Sequence, residues 1–328
     1  MADVTRDGWR RSLRRRWRWL PLLAVVLIGA CNLSARALAW RVPTDLPPVS
    51  GIEPVGRLGD DAISESSGLT PSGTLPGLFW TLNDSGHEPR LFAIEPTGAV
   101  RGSLIIPGAT NTDWEAMAQG PCPTGRCVYV GDVGDNMARR DRVIIWRVPE
   151  PDTPPPWSTP AEPLVRALEV HYVDGPRDVE ALYVAPDTSL WLITKRPAHR
   201  WLPSREPVRL YRVPGSAWTS SAQVTADRVG TLPIVPGQLS ARDWVTDAAL
   251  SAPHADGTRQ LAVLTYGSIH VFAADPVTGR PGQRLAHCAL PIDEHDAEAV
   301  AWLPDGRLLV TNEGTRSLLY AGRCGTPP

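Results

Sequence analysis

One short pattern recurs along this chain: an acid, a small residue, then an apolar run. It stands as Glu65 in SESSGL, Glu115 in DWEAMA, Glu180 in DVEALYV, Asp247 in VTDAAL and Glu298 in DAEAVAW, at spacings of 50, 65, 67 and 51 residues. After each comes a turn and a second apolar run: GLFWTLNDSG, RCVYVGDVGDN, LWLITKR, RQLAVLTYG and RLLVTNEG. A third run follows in every repeat, and a fourth in the first four. Repeats of this length, each built from short strands, cannot bury their faces alone and must stack on their neighbours. The 34 Pro and 28 Gly, spread along the chain, supply the turns that many short strands require.

The last repeat lacks a fourth strand, because the chain ends at GRCGTPP, while Glu53 to Gly59 (EPVGRLG) is a strand without a repeat. Pairing the two closes a ring and removes two open edges. The expected fold is therefore an all-β propeller of four-stranded blades closed by the N-terminal strand. Five blades are favoured over six, and residues 51–328 form one domain. The Pro-rich stretch Pro149 to Pro163 reads as a surface connection, and Ala198 to Glu206 as a widened turn.

The first thirty residues stand apart. Seven Arg and two Asp precede the apolar run Leu20 to Ala30, which is too short for a comfortable spanning helix. The run ends in Ile28-Gly29-Ala30-Cys31, which resembles the bacterial lipobox, implying cleavage and lipidation at Cys31; an uncleaved anchor or a plain signal peptide is the alternative. Asn32 after the Cys resembles outer-membrane sorting, and residues 31–50 read as a tether. Loss of residues 1–30 would move the formal net charge from −2 to −7, a poor balance for nucleic-acid binding. Four cysteines remain for disulfides, as expected of an exported protein. Cys122 and Cys127 flank the turn PTGR, which leaves Cys288 to pair with Cys324.

In a propeller the start of each first strand lies beside the end of the second. Glu65 should then approach Asn83 and Asp84, and Glu115 should approach Asp132, Asp135 and Asn136. Glu180 should approach Lys195 and Arg196, Asp247 should approach Tyr266, and Glu298 should approach Asn312 and Glu313. Acids gathered on an axis do not all stay ionised without a cation. Oxygen donors without convergent His or Cys favour Ca2+, or hydrated Mg2+. The expected metal ligands are Glu65, Glu115, Glu180, Asp247 and Glu298. Asn83, Asp135, Asn136, Arg196, Asn312 and Glu313 are the surrounding ligand-binding candidates. Lys195 is the only lysine in the chain; it reads either as a fixed cation for an anionic ligand or as a structural partner of Glu180.

The set SGL, WTLNDSG, DWEAMA, GDVGDN, EAVAW and TNEG resembles a group of poorly characterised exported bacterial propellers. More distantly, five blades that each open with an acid resemble the calcium-activated nucleotidase (apyrase) propellers. That resemblance implies Ca2+ in the channel and hydrolysis of nucleoside diphosphates beside it. Glu65, Glu115, Glu180 and Glu298 match the channel acids by blade, Asp247 departs from Glu, and Lys195-Arg196 stands where basic residues are expected.

Three functions follow as expectations. The first is a monomeric, membrane-anchored module that binds Ca2+ and a small-molecule or surface ligand. The second is a calcium-dependent hydrolase of phosphorylated substrates, with Asp84 or Asp132 as base and Lys195 or Arg196 holding the anion. The third is a scaffold without a ligand. GxSxG, HExxH and GxxxxGK[ST] motifs are absent.

Overall fold

The computed structural model describes residues 50–157, 164–196, 206–220, 222–237, 241–290 and 297–325. The signal segment, Cys31, most of the tether, residues 158–163 of the Pro-rich connection and residues 198–205 of the widened turn lie outside the described residues. Among the described residues, twenty strands and a one-turn helix, Ala217–Ser220, make up the regular structure.

The strands form four-stranded antiparallel meanders. The first holds β2 (Ser66–Pro71), β3 (Phe79–Asn83), β4 (Arg90–Ile94) and β5 (Val100–Ile105). The second holds β6 (Trp114–Pro121), β7 (Arg126–Asp132), β8 (Val143–Pro149) and β9 (Arg166–Tyr172). β10 (Val179–Val184), β11 (Leu190–Thr194), β12 (Arg209–Val213) and β13 (Gln223–Thr231) form the third. β14 (Val245–Leu250), β15 (Arg259–Thr265), β16 (Ser268–Ala274) and β17 (Pro281–Ala289) form the fourth. The last joins β18 (Ala297–Trp302), β19 (Leu308–Asn312) and β20 (Leu318–Arg323) to β1 (Ser50–Arg57), which pairs antiparallel with β20. The N-terminal strand thus completes the C-terminal sheet.

One pairing has no counterpart in the sequence pattern. The outer strands β9 and β13 run parallel, Gln223 opposite Glu169 through Ala226 opposite Tyr172, and fuse two meanders into an eight-stranded sheet.

Each meander packs face to face on the next, and the core lies in these interfaces. Trp80, Leu91 and Leu104 meet Trp114, Met117 and Val130. Tyr129, Ile145 and Leu168 meet Leu182, Leu192 and Tyr211. Tyr183 and Trp191 meet Val263 and Phe272; Leu264 and Ile269 meet Val300 and Val310; Leu309 and Leu319 return to Leu69, Phe79 and Phe92. The middle strands β3, β11 and β19 are buried along their whole length, which is why they read as unbroken apolar runs rather than alternating ones. The first strands touch in a closed circuit, β2 to β6, β6 to β10, β10 to β14, β14 to β18 and β18 to β2. This is a β-propeller arrangement.

Cys122 is bonded to Cys127 and Cys288 to Cys324. The first half of the Pro-rich connection is packed rather than free. The Glu150 carboxylate accepts from Trp80 Nε1 at 2.7 Å and from the Gly73 amide at 3.0 Å. The ring of Trp157 lies 5.1 Å from that of Trp80.

Candidate functional site

Every first strand carries a β-bulge near its start. The register slips between Ser66 and Gly68, Trp114 and Ala116, Val179 and Ala181, Val245 and Asp247, and Ala297 and Ala299. The extra residues are therefore Ser67, Glu115, Glu180, Thr246 and Glu298. A bulge bends its strand and re-aims one side chain, here at the same point of each meander. Three of these positions are acids and two are hydroxyls. Ser67 Oγ donates to Glu115 Oε2 at 2.8 Å, and Thr246 Oγ1 donates to the Ala297 carbonyl at 2.9 Å. Both bonds reach to the next meander.

Glu65 and Asp247 stand outside this equivalent set. Glu65 lies two residues before the bulge, and its Oε2 is 2.7 Å from His87 Nε2. Asp247 lies one residue after it, fully buried, and accepts from the amides of Ala248 at 2.8 Å and Val300 at 2.9 Å. Burial pushes the Asp247 carboxyl well up against those bonds. The repeat that is aligned on its acids is thus out of register by two residues in the first unit and by one in the fourth.

Around Glu115 three carboxylates converge. One oxygen each from Asp84, Asp113 and Glu115 lies within 4.8 Å of the other two. Asp84 follows β3, Asp113 precedes β6 and Glu115 is its bulge residue. Gly134, in GDVGDN, makes room for them. A Cβ there would stand 2.6 Å from Asp113 Oδ2 and 2.7 Å from Glu115 Cγ. The Gly134 amide in turn donates to the Asp113 carbonyl at 3.1 Å. Burial, then the charges of Asp84 and Asp178, push the Asp113 carboxyl up to about 7. Burial and the charge of Glu180 push Glu115 well up, and burial raises Asp84. Crowded, buried carboxylates with raised values are the condition that a bound cation relieves.

The neighbouring acids are answered by protein groups. Asp132 accepts from the Thr112 amide at 3.3 Å, from the Asp113 amide at 3.2 Å and from Arg140 Nη2 at 2.7 Å. Asp135 Oδ2 caps its own turn, accepting from the amides of Arg139 at 2.6 Å and Arg140 at 2.7 Å. Asp178 Oδ1 accepts from the Asp135 amide at 3.1 Å, and its Oδ2 lies 3.0 Å from Arg196 Nη2, close enough for an ion pair but not aligned as a hydrogen bond. Arg196 also donates to the Asn136 carbonyl at 3.0 Å and lies 4.6 Å over the Trp244 ring.

Glu180 Oε1 accepts from Lys195 Nζ at 2.9 Å, and both side chains are buried. Burial pushes the Glu180 carboxyl up to about 8, although Lys195 lowers it. Burial alone would lower the Lys195 ammonium, but Glu180, Tyr266, Glu115 and Asp178 together hold it well above its ordinary range. Lys195 thus faces several acids at once.

The remaining candidates are not among the three carboxylates whose oxygens converge, although the charge of Glu65 acts on Asp84. Asn83 Oδ1 accepts from the amides of Ser64 at 3.1 Å and Glu65 at 3.2 Å, and Asn312 Nδ2 donates to the Leu318 carbonyl at 3.2 Å. Glu313 bridges to Glu65 through the backbone, and the charge of Glu298 acts on Tyr266. Asp113 is not among the ligands expected from the sequence, although it stands two residues before Glu115. The recurring Asp-x-Glu of Asp113/Glu115 and Asp178/Glu180 was the signal available for it.

No family model and no curated protein matches the chain. Among solved structures, glutaminyl cyclase of Myxococcus xanthus is 14% identical over 86% of this chain and 100% of that one, with a TM-score of 0.44. Regucalcin of Agrobacterium tumefaciens, a calcium-binding protein, is 14% identical over 87% of this chain and 98% of that one, TM-score 0.41. The Cps50 (Swd1) β-propeller domain of Myceliophteria thermophila is 10% identical over 83% and 99%, TM-score 0.38. These likenesses are too distant to carry a substrate or an activity.

Proposed function

We propose that the protein is an exported five-bladed propeller, lipid-anchored through Cys31, that holds a divalent cation at one mouth of its central channel and binds a small or surface ligand on that face. The observation that carries the cation is the convergence of Asp84, Asp113 and Glu115, whose oxygens lie within 4.8 Å of one another without His or Cys. That donor set fits a hard cation, and Ca2+, with its tolerance for carboxylates and water at varied angles, fits it better than Mg2+. Gly134 supports the reading, since the site exists only because that position has no side chain. The closed circuit of five first strands supports the blade count. The two disulfides support export to an oxidising compartment. Among the described residues no helix is long and apolar enough to cross a membrane.

A binding role is favoured over phosphoryl hydrolysis. Asp132 is engaged by two amides and Arg140, and Lys195 is engaged by Glu180, so neither is held ready as a base or an anion clamp. The test is calorimetry of residues 51–328 with Ca2+ and Mg2+, beside Asp113→Asn and Glu115→Gln. The wild type should bind one Ca2+, and each variant should lose at least tenfold in affinity. Equal affinity in all three proteins would sink the site. For the anchor, Cys31→Ser should release the full chain from membranes; retention would show an uncleaved helix instead.

A further inference from the structure

Glu180 occupies the bulge position of the third blade, as Glu115 does in the second. It is 1% exposed, and its Oε1 is held by Lys195 at 2.9 Å. Its Oε2 is buried and meets no hydrogen-bond donor among the described residues. An unmet carboxylate oxygen in the interior is costly and calls for an explanation. Of all neighbouring charges, that of Glu180 acts most strongly on Glu115. Strands β6 and β10 also pack against each other, so the orphan oxygen stands at the matching bulge position one blade from Glu115, although Glu180 is not one of the three acids whose oxygens lie within 4.8 Å of one another.

The holding cation is a lysine, in a chain whose other 32 Lys-or-Arg positions are all Arg. The difference is chemical. A guanidinium presents a planar fork that takes both oxygens of a carboxylate, whereas an ammonium is a compact point charge that can take one. At this position Lys195 grips Oε1 and leaves Oε2 free. Its ammonium is itself steadied 5.6 Å from the ring of Tyr266.

We propose that Lys195 is the positioning residue of the cation centre, fixing Glu180 by one oxygen so that the other completes the ligand set of Asp84, Asp113 and Glu115. The inference rests on the cation reading given above. It adds a fourth protein ligand and a reason for the sole lysine. The same ammonium, close to the cation, also limits how tightly a divalent ion is held, so the centre releases its ion more readily than four carboxylates alone would.

The experiment uses the wild type, Lys195→Arg and Glu180→Gln, with Ca2+ as the probe. Lys195→Arg keeps the charge but offers the fork. It should weaken Ca2+ about tenfold while the melting temperature in chelator changes little. Glu180→Gln should weaken Ca2+ to a similar degree. Because the chain has one lysine, 15N-lysine labelling yields a single side-chain signal, and Ca2+ should shift it in the wild type. A wild type that binds Ca2+ with no change in either variant, or with an unmoved lysine signal, overturns the role of Lys195 and Glu180 alone. A wild type that binds no divalent cation overturns the site itself. If Lys195→Arg does not fold, Glu180→Gln and the lysine signal still decide.

Discussion

Gly134 shows how much the candidate site depends on one missing side chain. A methyl there would stand 2.6 Å from Asp113 Oδ2 and 2.7 Å from Glu115 Cγ, and must displace both. Gly134→Ala should therefore reduce Ca2+ affinity at least tenfold at a stability cost of about 1–3 kcal/mol, read by calorimetry and urea unfolding. Asp247 should behave in the opposite way. Its carboxylate answers the amides of Ala248 and Val300 and stands one residue off the bulge position. Asp247→Ala leaves those buried donors unmet and should cost about 2–4 kcal/mol, with Ca2+ affinity unchanged. A loss of affinity without a loss of stability would return Asp247 to the metal ligands. Both residues were visible in the sequence, but their roles were not. Glycine in GDVGDN reads as a turn until the carboxylates beneath it are seen, and Asp247 reads as a channel acid until the register is known.

At the scale of the strands, order and pairing were legible because each buried strand is an apolar run bounded by turn residues. The bulges were not legible, since a slip of one residue leaves no mark in an apolar pattern and yet re-aims the side chain that matters. The parallel pairing of β9 with β13 was hidden for a similar reason: it joins outer strands of adjacent units, where side chains are partly exposed and carry little pattern. The β16–β17 pair holds a further consequence. His270 and His287 face each other across it with ring centroids 3.8 Å apart, beside Ser268 and Arg284. Burial, then the charges of His287 and Arg284, push His270 down to about 2; burial and Arg284 push His287 down to about 4. Both rings are neutral when folded and take up protons near pH 6.5 when unfolded. The unfolded chain binds more protons below that point, so stability is full above pH 6.5 and falls as the pH drops toward 4. The slope from His270 is at most about 1.4 kcal/mol per pH unit, and the half-exposed His287 adds less. Urea midpoints at pH 7 and pH 5 should differ clearly in the wild type and less in His270→Gln. An equal difference in the two proteins would remove the histidine pair from the acid response.

At the scale of the molecule, the ring is what brings distant residues together. Asp84 comes from the first blade and Asp113 and Glu115 from the second, so the cluster exists only when neighbouring blades are packed together. Cation binding should accordingly stabilise the whole fold rather than one hairpin, raising the melting temperature with ligand concentration. It should also release protons, because Asp113, pushed up to about 7, must ionise to serve as a ligand. Affinity should then rise between pH 6 and pH 8. The most direct measurement of the central claim is a Ca2+ titration of residues 51–328 at pH 7.5 by calorimetry, after exhaustive treatment with chelator. The account predicts one site per chain, lost on Glu115→Gln. No heat and no bound calcium by elemental analysis, at millimolar Ca2+, would contradict it.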